Sequence, residues 1–333
     1  MVSGLASCNA VYEDQSDCAI RYRVGFRFVK NVLHADAFGS QVTTVHLNVY
    51  DKSGKLVLSK TEDRRISEIN DYGMDVDLMP GTYDLVSWCE GPALSPNPVS
   101  FLLGDGTAMT DFTATLPLQG TAPNLTSGSD LTRLFHGTAM DVEFPEHWGM
   151  TDIGPVYLTK DTNRLRVLMQ NVDGMPMDAT QFKFEITGNN NVLDWNNAVM
   201  KASDKFIYTP WSVEQTYATF DKPDNAATRS TMDDSELPAG VLAEFSTSRL
   251  MADMPQRLTI SLRDTGEEVL SIPLIQYLLL VKDKYSQTTD DQDYLDCYDD
   301  YTMMFFIDKG MTWLKARVYI NGWRVVPPQD EQM

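Results

Sequence analysis

Basic residues are scarce in this chain, because 27 lysines and arginines stand against 47 aspartates and glutamates. The resulting net charge of -20 disfavours nucleic acid as a partner, since phosphate binding requires a concentration of basic side chains. The same charge keeps a protein soluble and repels anionic lipid. We therefore expect no nucleic-acid partner.

Long apolar runs are also missing from the sequence. The longest extends from Ile272 to Val281 and is interrupted by Pro273 and Gln276, so it falls short of the roughly 18 residues of a membrane-spanning helix. No apolar segment precedes Cys8. We expect Met1 to Gly4 to be the remnant of a signal peptide or an added start.

Catalytic and metal-binding motifs are equally hard to find. The four histidines lie far apart in the sequence and lack the spacing of metal ligands: His34, His46, His136 and His147. No Gly-x-Ser-x-Gly occurs, and Gly104-Asp-Gly106 departs from the dinucleotide-binding pattern. Nothing selects a carboxylate pair for glycoside hydrolysis. The sequence thus predicts a protein that is not an enzyme and binds no cofactor or metal.

An acidic cluster near the C-terminus invites a calcium interpretation: Asp290, Asp291, Asp293, Asp296, Asp299 and Asp300. The cluster lacks the glycine and the terminal glutamate of an EF-hand loop. We interpret it as a solvated acidic face.

Cysteine is rare, with four residues and no Cys-x-x-Cys pair, so a zinc ribbon or a thioredoxin-type site is disfavoured. Cys8 ends the segment Leu5-Ala6-Ser7-Cys8, which has the form of a bacterial lipobox, and we predict that Cys8 carries lipid. In an oxidising compartment, Cys18 and Cys89 are candidates for a disulfide because both lie in the N-terminal half. The alternative is that Cys18, Cys89 and Cys297 are buried free thiols.

The dominant periodicity of apolar residues is two, which is typical of half-buried strands. Residues 22–28, 42–50 and 74–78 show it, and glycine-containing turns follow the second and the third of these segments. Further strands are predicted at 55–60, 83–88, 112–116, 134–144, 156–159, 164–169, 182–186, 242–247, 257–262, 269–272, 301–307 and 313–326. Short strands at regular spacing favour an all-β protein made of β-sandwiches.

The interruptions of this pattern suggest the domain organisation. Residues 118–130 and 221–236 are polar and predict loops, whereas residues 275–282 fit a strand or a helix equally well. We place the domain boundary near Glu146 to Thr151, which predicts a lipobox and tether at 1–18, an N-terminal sandwich at 19–150 and a C-terminal sandwich at 151–333. Pro327-Pro328 removes two backbone donors and ends the last strand.

An ordered set of short segments resembles the FimB-type fimbrium anchor subunits of Bacteroidales, a family of minor fimbrial lipoproteins. The segments are Cys8-Asn-Ala-Val-Tyr-Glu-Asp-Gln-Ser-Asp-Cys18, Ala35-Asp-Ala-Phe38, Val45 to Asp51 with Gly54, Met79-Pro-Gly-Thr-Tyr83, Val86-Ser-Trp88, Leu134-Phe-His-Gly137, Leu158-Thr-Lys160, Tyr208-Thr-Pro210, Asp291-Gln-Asp-Tyr-Leu-Asp296 and Ile320-Asn-Gly-Trp323. The resemblance covers nearly the whole chain. It departs at Cys297, where the family leads us to expect an arginine.

The resemblance implies two transthyretin-like β-sandwich domains in tandem, a lipid on Cys8 and a surface-exposed position on the outer membrane. It implies that Glu13, Asp14 and Asp17 act as the signal for the outer surface. It also implies fimbrial shaft or accessory subunits as partners, joined by β-strand exchange. The short tail after Val326 fits a subunit at the end of a polymer, which needs no long donor strand of its own.

Three other functions remain open from the sequence. A surface glycan-binding lipoprotein would need exposed aromatic residues, for which Trp148, Trp195 and Trp211 are candidates. A fimbrial tip or accessory adhesin would share the fold and the partners. A surface hydrolase would need a concave site with two close carboxylates.

Overall fold

The computed structural model describes residues 19–173, 177–200, 203–217, 238–285 and 290–325. These residues form 22 strands in five sheets and a few short helices, which confirms the prediction of an all-β protein. The α-helices are α1 (Phe38–Gln41), α2 (Leu274–Leu279), α3 (Lys282–Tyr285) and α4 (Asp291–Cys297). The segment that fitted either a strand or a helix is therefore mainly helical. No helix in the described ranges is both long and apolar enough to cross a membrane.

The N-terminal part contains two sheets. In sheet A, the central strand β1 (Ile20–Arg27) pairs parallel with β10 (Gly149–Tyr157) and antiparallel with β4 (Gly73–Val76). Sheet B is antiparallel, and its strands in spatial order are β11 (Thr159–Lys160), β9 (Arg133–Phe144), β5 (Gly81–Gly91), β2 (Thr44–Asp51) and β3 (Leu56–Asp63).

Sheets A and B face each other across one apolar core. Alternation produces this arrangement, because side chains of a strand point to opposite faces in turn. Tyr22 and Val24 on β1 are wholly buried. Arg21, which precedes Tyr22, and Arg23, which separates Tyr22 from Val24, are exposed. Leu47 on β2 and the thiol of Cys89 on β5 enter the same core from sheet B.

The second face of sheet B is also covered. Tyr50 of β2 and Trp88 of β5 are wholly buried there, and both belong to the core of the C-terminal part. The covering segment is the long connection between β5 and β9. Trp88 Nε1 donates to the backbone oxygen of Phe112 at 3.0 Å, and the hydroxyl of Tyr50 donates to that of Gly106 at 2.8 Å.

The C-terminal part contains three sheets. Sheet C consists, in spatial order, of β16 (Ser212–Tyr217), β17 (Pro238–Ser248), β12 (Thr162–Asn171), β20 (Asp300–Ile307), β21 (Trp313–Ile320) and β22 (Trp323–Val325). Sheet D consists of β19 (Glu268–Pro273), β18 (Arg257–Leu262), β13 (Phe182–Gly188), β15 (Phe206–Tyr208) and β8 (Thr126–Ser127). The small sheet E consists of β14 (Val192–Leu193), β7 (Ala114–Thr115) and β6 (Leu102–Leu103).

One core joins these sheets. Val167 of β12 and Phe305 of β20 contribute to it from sheet C, and Ile186 of β13 contributes from sheet D. Strands β12 and β20 pair in parallel over residues that are about 140 positions apart in the sequence, for example Leu165 with Tyr301.

The predicted domain boundary between residues 150 and 151 is corrected by the strand pairing. It cuts through β10, and the whole of β10 pairs with β1 in sheet A. Conversely, β8 and β7, which lie before the predicted boundary, pair with β15 and β14 of the C-terminal part. Periodicity identified the strands but carries no information about which distant strand each one joins.

Candidate functional site

The N-terminal sandwich is closed on one side. There β10 of sheet A lies against β9 of sheet B, and the contact is close at Gly137. A Cβ atom at Gly137 would lie 2.7 Å from Cγ1 of Val156 and 2.8 Å from the backbone oxygen of Tyr157. Only glycine allows the two strands to approach this closely.

Among the described residues, the opposite side of the sandwich is open. Its borders are β4, the last strand of sheet A, and β3, the last strand of sheet B. Strand β4 has four residues, whereas β3 has eight. Within the described ranges, β3 pairs with β2 alone, apart from a single bridge between Lys55 and Ala108 just before it begins. An edge of this length is a template for the addition of another strand.

The orientation of the free backbone groups on β3 follows from the ladder. Arg64 donates its backbone N–H to the oxygen of Thr43, which marks this pair as a hydrogen-bonded one. In an antiparallel ladder, hydrogen-bonded and non-hydrogen-bonded pairs alternate. In the ladder, Thr44 pairs with Asp63 and each following residue of β2 pairs with the preceding residue of β3, as far as Val49 with Leu58. The backbone groups of Ser59 and Thr61 therefore point away from β2, towards the open side.

The side chains of β3 alternate but change character along the strand. Leu58 turns inward and is half-buried, and Lys60 and Glu62 follow it on the same face. Leu56 lies beyond a shift in the register and packs against the core of the C-terminal part instead. Val57 on the outer face is 42% exposed. Inward charges on an edge strand are one way in which proteins protect an edge from unwanted pairing.

Lys60 spans the open side. Its ammonium group donates to the backbone oxygen of Asp75 on β4 at 2.6 Å and pairs with Glu62 at 2.7 Å. The hydroxyl of Tyr72 donates to the same carboxylate at 2.9 Å. Burial, followed by this hydrogen bond to Glu62, raises the pKa of Tyr72, so the phenol remains a donor.

Beside this bridge lies a cleft of about 540 Å³ between the two sheets. Its lining is apolar at Ile20, Leu58, Val76 and Met150 and charged at Arg21, Lys60, Asp75 and Asp77. An added strand presents alternate side chains to such a recess while its main chain bonds the edge. As far as the structure describes the chain, the open side therefore offers both elements of strand addition: an unpaired ladder and a partly apolar recess.

The predicted lipidation site and one half of the predicted disulfide lie outside the described residues, since Cys8 and Cys18 precede Ala19. Cys89 is a free cysteine and is wholly buried between the sheets. Burial raises the pKa of its thiol to about 12. The bond between Cys18 and Cys89 stays a prediction. Cys297 is a free, partly buried cysteine.

The histidines are not brought together. His136 is buried and its Nε2 lies 2.9 Å from the backbone oxygen of Trp195, while burial lowers its pKa to about 4. The Nδ1 of His46 bonds Thr61 on the neighbouring strand at 2.9 Å. Nowhere in the described ranges do three histidine, cysteine or acidic side chains form a group that could hold a metal ion.

The acidic cluster is not a solvated face throughout, which corrects that interpretation. Asp296 is 5% exposed and receives two hydrogen bonds from Arg249, at 2.9 and 2.8 Å. Lys30 of the N-terminal part reaches the same carboxylate at 3.1 Å. Asp299 pairs with the buried ammonium group of Lys160. These carboxylates hold the two parts of the chain together.

The three candidate tryptophans do not share one exposed surface. Trp148 is 69% exposed, whereas Trp195 packs against the core of the C-terminal part and Trp211 is half-buried. Pro327-Pro328 lies outside the described residues.

Sequence reasoning missed the edge and its bridge. A signal existed on the inward face of β3, which passes from Leu58 to Lys60 and Glu62. A strand whose buried face becomes charged halfway along is typical of a sheet edge.

Comparison with known proteins identifies the family. Residues 15–327 match the family of fimbrillin-A associated anchor proteins Mfa1 and Mfa2. No curated protein sequence matches this chain.

Three solved structures illustrate the likeness. A candidate adhesin from Bacteroides thetaiotaomicron is 29% identical, with a TM-score of 0.72 over 92% of this chain and 97% of its own. A candidate polysaccharide-binding protein of the same organism is 25% identical, with a TM-score of 0.73 over 94% of this chain and 100% of its own. The fimbrial anchor protein Mfa2 from Porphyromonas gingivalis is 17% identical and shares the fold, with a TM-score of 0.62 over 92% of this chain and 98% of its own. Because the family match spans nearly the whole sequence, this chain belongs to the fimbrillin-A associated anchor proteins.

Proposed function

We propose that this protein is a non-enzymatic outer-membrane lipoprotein that anchors a fimbrium and accepts a shaft or accessory subunit by β-strand addition. Membership of the anchor family supports the fimbrial role. The observation that carries the strand addition is the eight-residue edge β3, with the backbone groups of Ser59 and Thr61 directed to the open side. The two sandwiches are proposed to be transthyretin-like domains in tandem.

The lipid on Cys8 is the proposed attachment to the membrane. Ten residues separate Cys8 from Ala19, the first described residue. Extended chain spans at most about 3.3–3.6 Å per residue, so the 11 residue steps from Cys8 to Ala19 would hold the N-terminal sandwich within roughly 40 Å of the lipid. Glu13, Asp14 and Asp17 within it are proposed to direct the protein to the outer surface.

The strand addition is tested by Ser59→Pro in the full chain. Proline at this position removes an N–H that faces the open side and leaves the ladder to β2 intact. We expect binding of a purified shaft subunit, or of a peptide that copies its donor strand, to weaken at least tenfold, or about 1.4 kcal/mol. Ser59→Ala, which retains the N–H, should bind like the wild type.

The outcomes are separable. Equal binding by both variants and the wild type would show that β3 is not the acceptor. A thermal melt of Ser59→Pro within a few degrees of the wild type confirms that the sandwich is folded. The lipid is tested separately by Cys8→Ala in the precursor, which should release the protein from the membrane fraction.

A further inference from the structure

A second recess lies in the C-terminal part, far in the sequence from the open side. It has a volume of about 380 Å³, at the lower end of the roughly 300–1,000 Å³ of ligand pockets. It lies where β13 ends and where β15 and β18 begin. The lining residues are Pro123, Thr187, Gly188, Asn189, Lys205, Phe206, Ile207, Pro255, Gln256 and Arg257.

Gln256 is the unusual member of this lining. It is 2% exposed, and neither Nε2 nor Oε1 of its carboxamide has a hydrogen-bond partner within the described part of the chain. Its backbone is satisfied, because its N–H donates to Met254 at 3.0 Å and its oxygen accepts from Leu274 at 2.8 Å. A buried amide without partners costs about 1–3 kcal/mol. Neither atom is accessible from the recess, so a ligand recovers that cost when the side chain of Gln256 turns towards it.

The charge of the recess is opposite to that of the chain. Lys205 and Arg257 line it, and no aspartate or glutamate does, although acidic residues outnumber basic ones by 47 to 27 in the sequence. Among the described residues neither cation forms an ion pair. Arg257 instead donates to the hydroxyl of Ser271 at 3.2 and 3.0 Å. Two uncompensated cations favour an anionic ligand.

Part of the remaining lining is apolar, beside Thr187 and Asn189. Pro123 and Pro255 line the recess, and Phe206 packs tightly on Gly188. A Cβ atom at Gly188 would lie 2.6 Å from Cζ of Phe206, so the glycine allows the ring to seat there. Such surfaces accept the C–H face of a ring.

We propose that this recess binds an acidic saccharide. The carboxylate of a uronic or similar acid sugar pairs with Lys205 and Arg257. Its hydroxyl groups both donate to and accept from the carboxamide of Gln256 once that side chain has turned towards the recess. A fatty acid has no donor for Oε1 of the amide, and inorganic phosphate has no apolar face for the proline walls. A single ligand that is anionic, hydroxyl-bearing and partly apolar satisfies all three features.

The test is calorimetric titration of the soluble full chain with trigalacturonate, with its methyl ester as the neutral control probe. We expect saturable binding of the acid and at least tenfold weaker binding of the ester. Lys205→Met and Gln256→Leu should each weaken binding of the acid by about tenfold, or 1.4 kcal/mol. Lys183→Met is the matched control, because Lys183 is an exposed cation on β13 that pairs with Glu185 at 2.8 Å and lies outside the recess.

A folding readout accompanies the titration. Gln256→Leu removes the unpartnered amide, so its melting temperature should equal or exceed that of the wild type. Absence of saturable binding of the acid, equal binding of acid and ester, or indifference to Lys205→Met and Gln256→Leu would each overturn the proposal. So would a preference for peptides with a free C-terminal carboxylate over the trisaccharide.

Discussion

The ammonium group of Lys60 donates a hydrogen bond of 2.6 Å to the backbone oxygen of Asp75, and it thereby joins the free edges of the two sheets of the N-terminal sandwich. A strand that adds to β3 on the open side must displace this bridge. For the proposed strand addition, we therefore expect Lys60 to control access to the edge, next to the recess that Leu58 and Val76 line.

Replacement of Lys60 by methionine should open this edge. Because an exposed ion pair such as that of Lys60 and Glu62 contributes about 0–1 kcal/mol, urea unfolding should change little. The association rate of a donor-strand peptide, measured by stopped-flow fluorescence, should rise several-fold. The control is again Lys183→Met. An unchanged association rate would show that the bridge does not gate the edge.

Cys89 should be unreactive in the folded protein. It is wholly buried, and burial raises the pKa of its thiol to about 12, so almost none is thiolate at neutral pH. A thiol reagent at pH 8 should modify Cys89 only after denaturation, whereas the partly buried Cys297 should react slowly in the native state. Peptide mapping of the labelled sites distinguishes the two.

The same mapping decides the predicted disulfide. In denaturant without reductant, we expect label on Cys89, since it is a free cysteine in the structure. If label on Cys18 and Cys89 appears only after reduction, the two are bonded and Cys89 is not free in the protein.

The sequence predicted most strands because alternation is a local property. Residues 22–28 and 42–50 bury one face each, and β1 and β2 form close to where the pattern places them. The domain boundary could not be found in this way. Pairing of β10 with β1, or of β8 with β15, depends on which distant edges are free once the cores have formed.

The functional features were less predictable than the fold. Gln256 and Lys205 are 51 positions apart in the sequence and meet only because β15 and β18 flank β13. The acidic residues of α4 and the strand after it looked solvated, since nothing in the sequence pairs Asp296 with Arg249 or with Lys30. Their partners come from segments that the fold brings to the junction, which is the contact between the N-terminal and C-terminal parts around Asp296.

We expect Arg249 to contribute more to the stability of the protein than any other single side chain at that junction. Burial alone would raise the pKa of Asp296. The hydrogen bonds from Arg249 nevertheless hold this pKa below its ordinary value. Removal of one partner from a buried pair costs about 3–5 kcal/mol, so Arg249→Met should lower the urea midpoint markedly. The double variant Arg249→Met with Asp296→Leu should recover much of the loss. A double variant as unstable as the single one would show that the cost lies elsewhere.

Stability at the junction should also depend on pH through Asp161, which is wholly buried. Asn197 donates to its Oδ1 at 2.8 Å, while Oδ2 has no partner within the described ranges. Arg249 lies 3.8 Å away, and Asp296 and Lys30 also face it. Burial raises the pKa of Asp161 to about 8, against the opposing effect of Arg249.

The sign of the pH dependence follows from this raised pKa. An unfolded aspartate loses its proton near pH 4, whereas folded Asp161 retains it up to about pH 8. The stabilisation from the bound proton is present at low pH and is lost progressively between about pH 4 and pH 8.

Asp161→Asn does not titrate, so the difference in melting temperature between the variant and the wild type should grow in favour of the variant from pH 5 to pH 8. We expect growth of at least about 2–4 °C, which corresponds to about 1 kcal/mol in domains of 150–250 residues. The matched control is Asp141→Asn, which should show no such trend. The side chain of Asp141 is 76% exposed and pairs with Lys52. A constant difference across this pH range would mean that Asp161 is ionised throughout and that Arg249 overcomes the effect of burial.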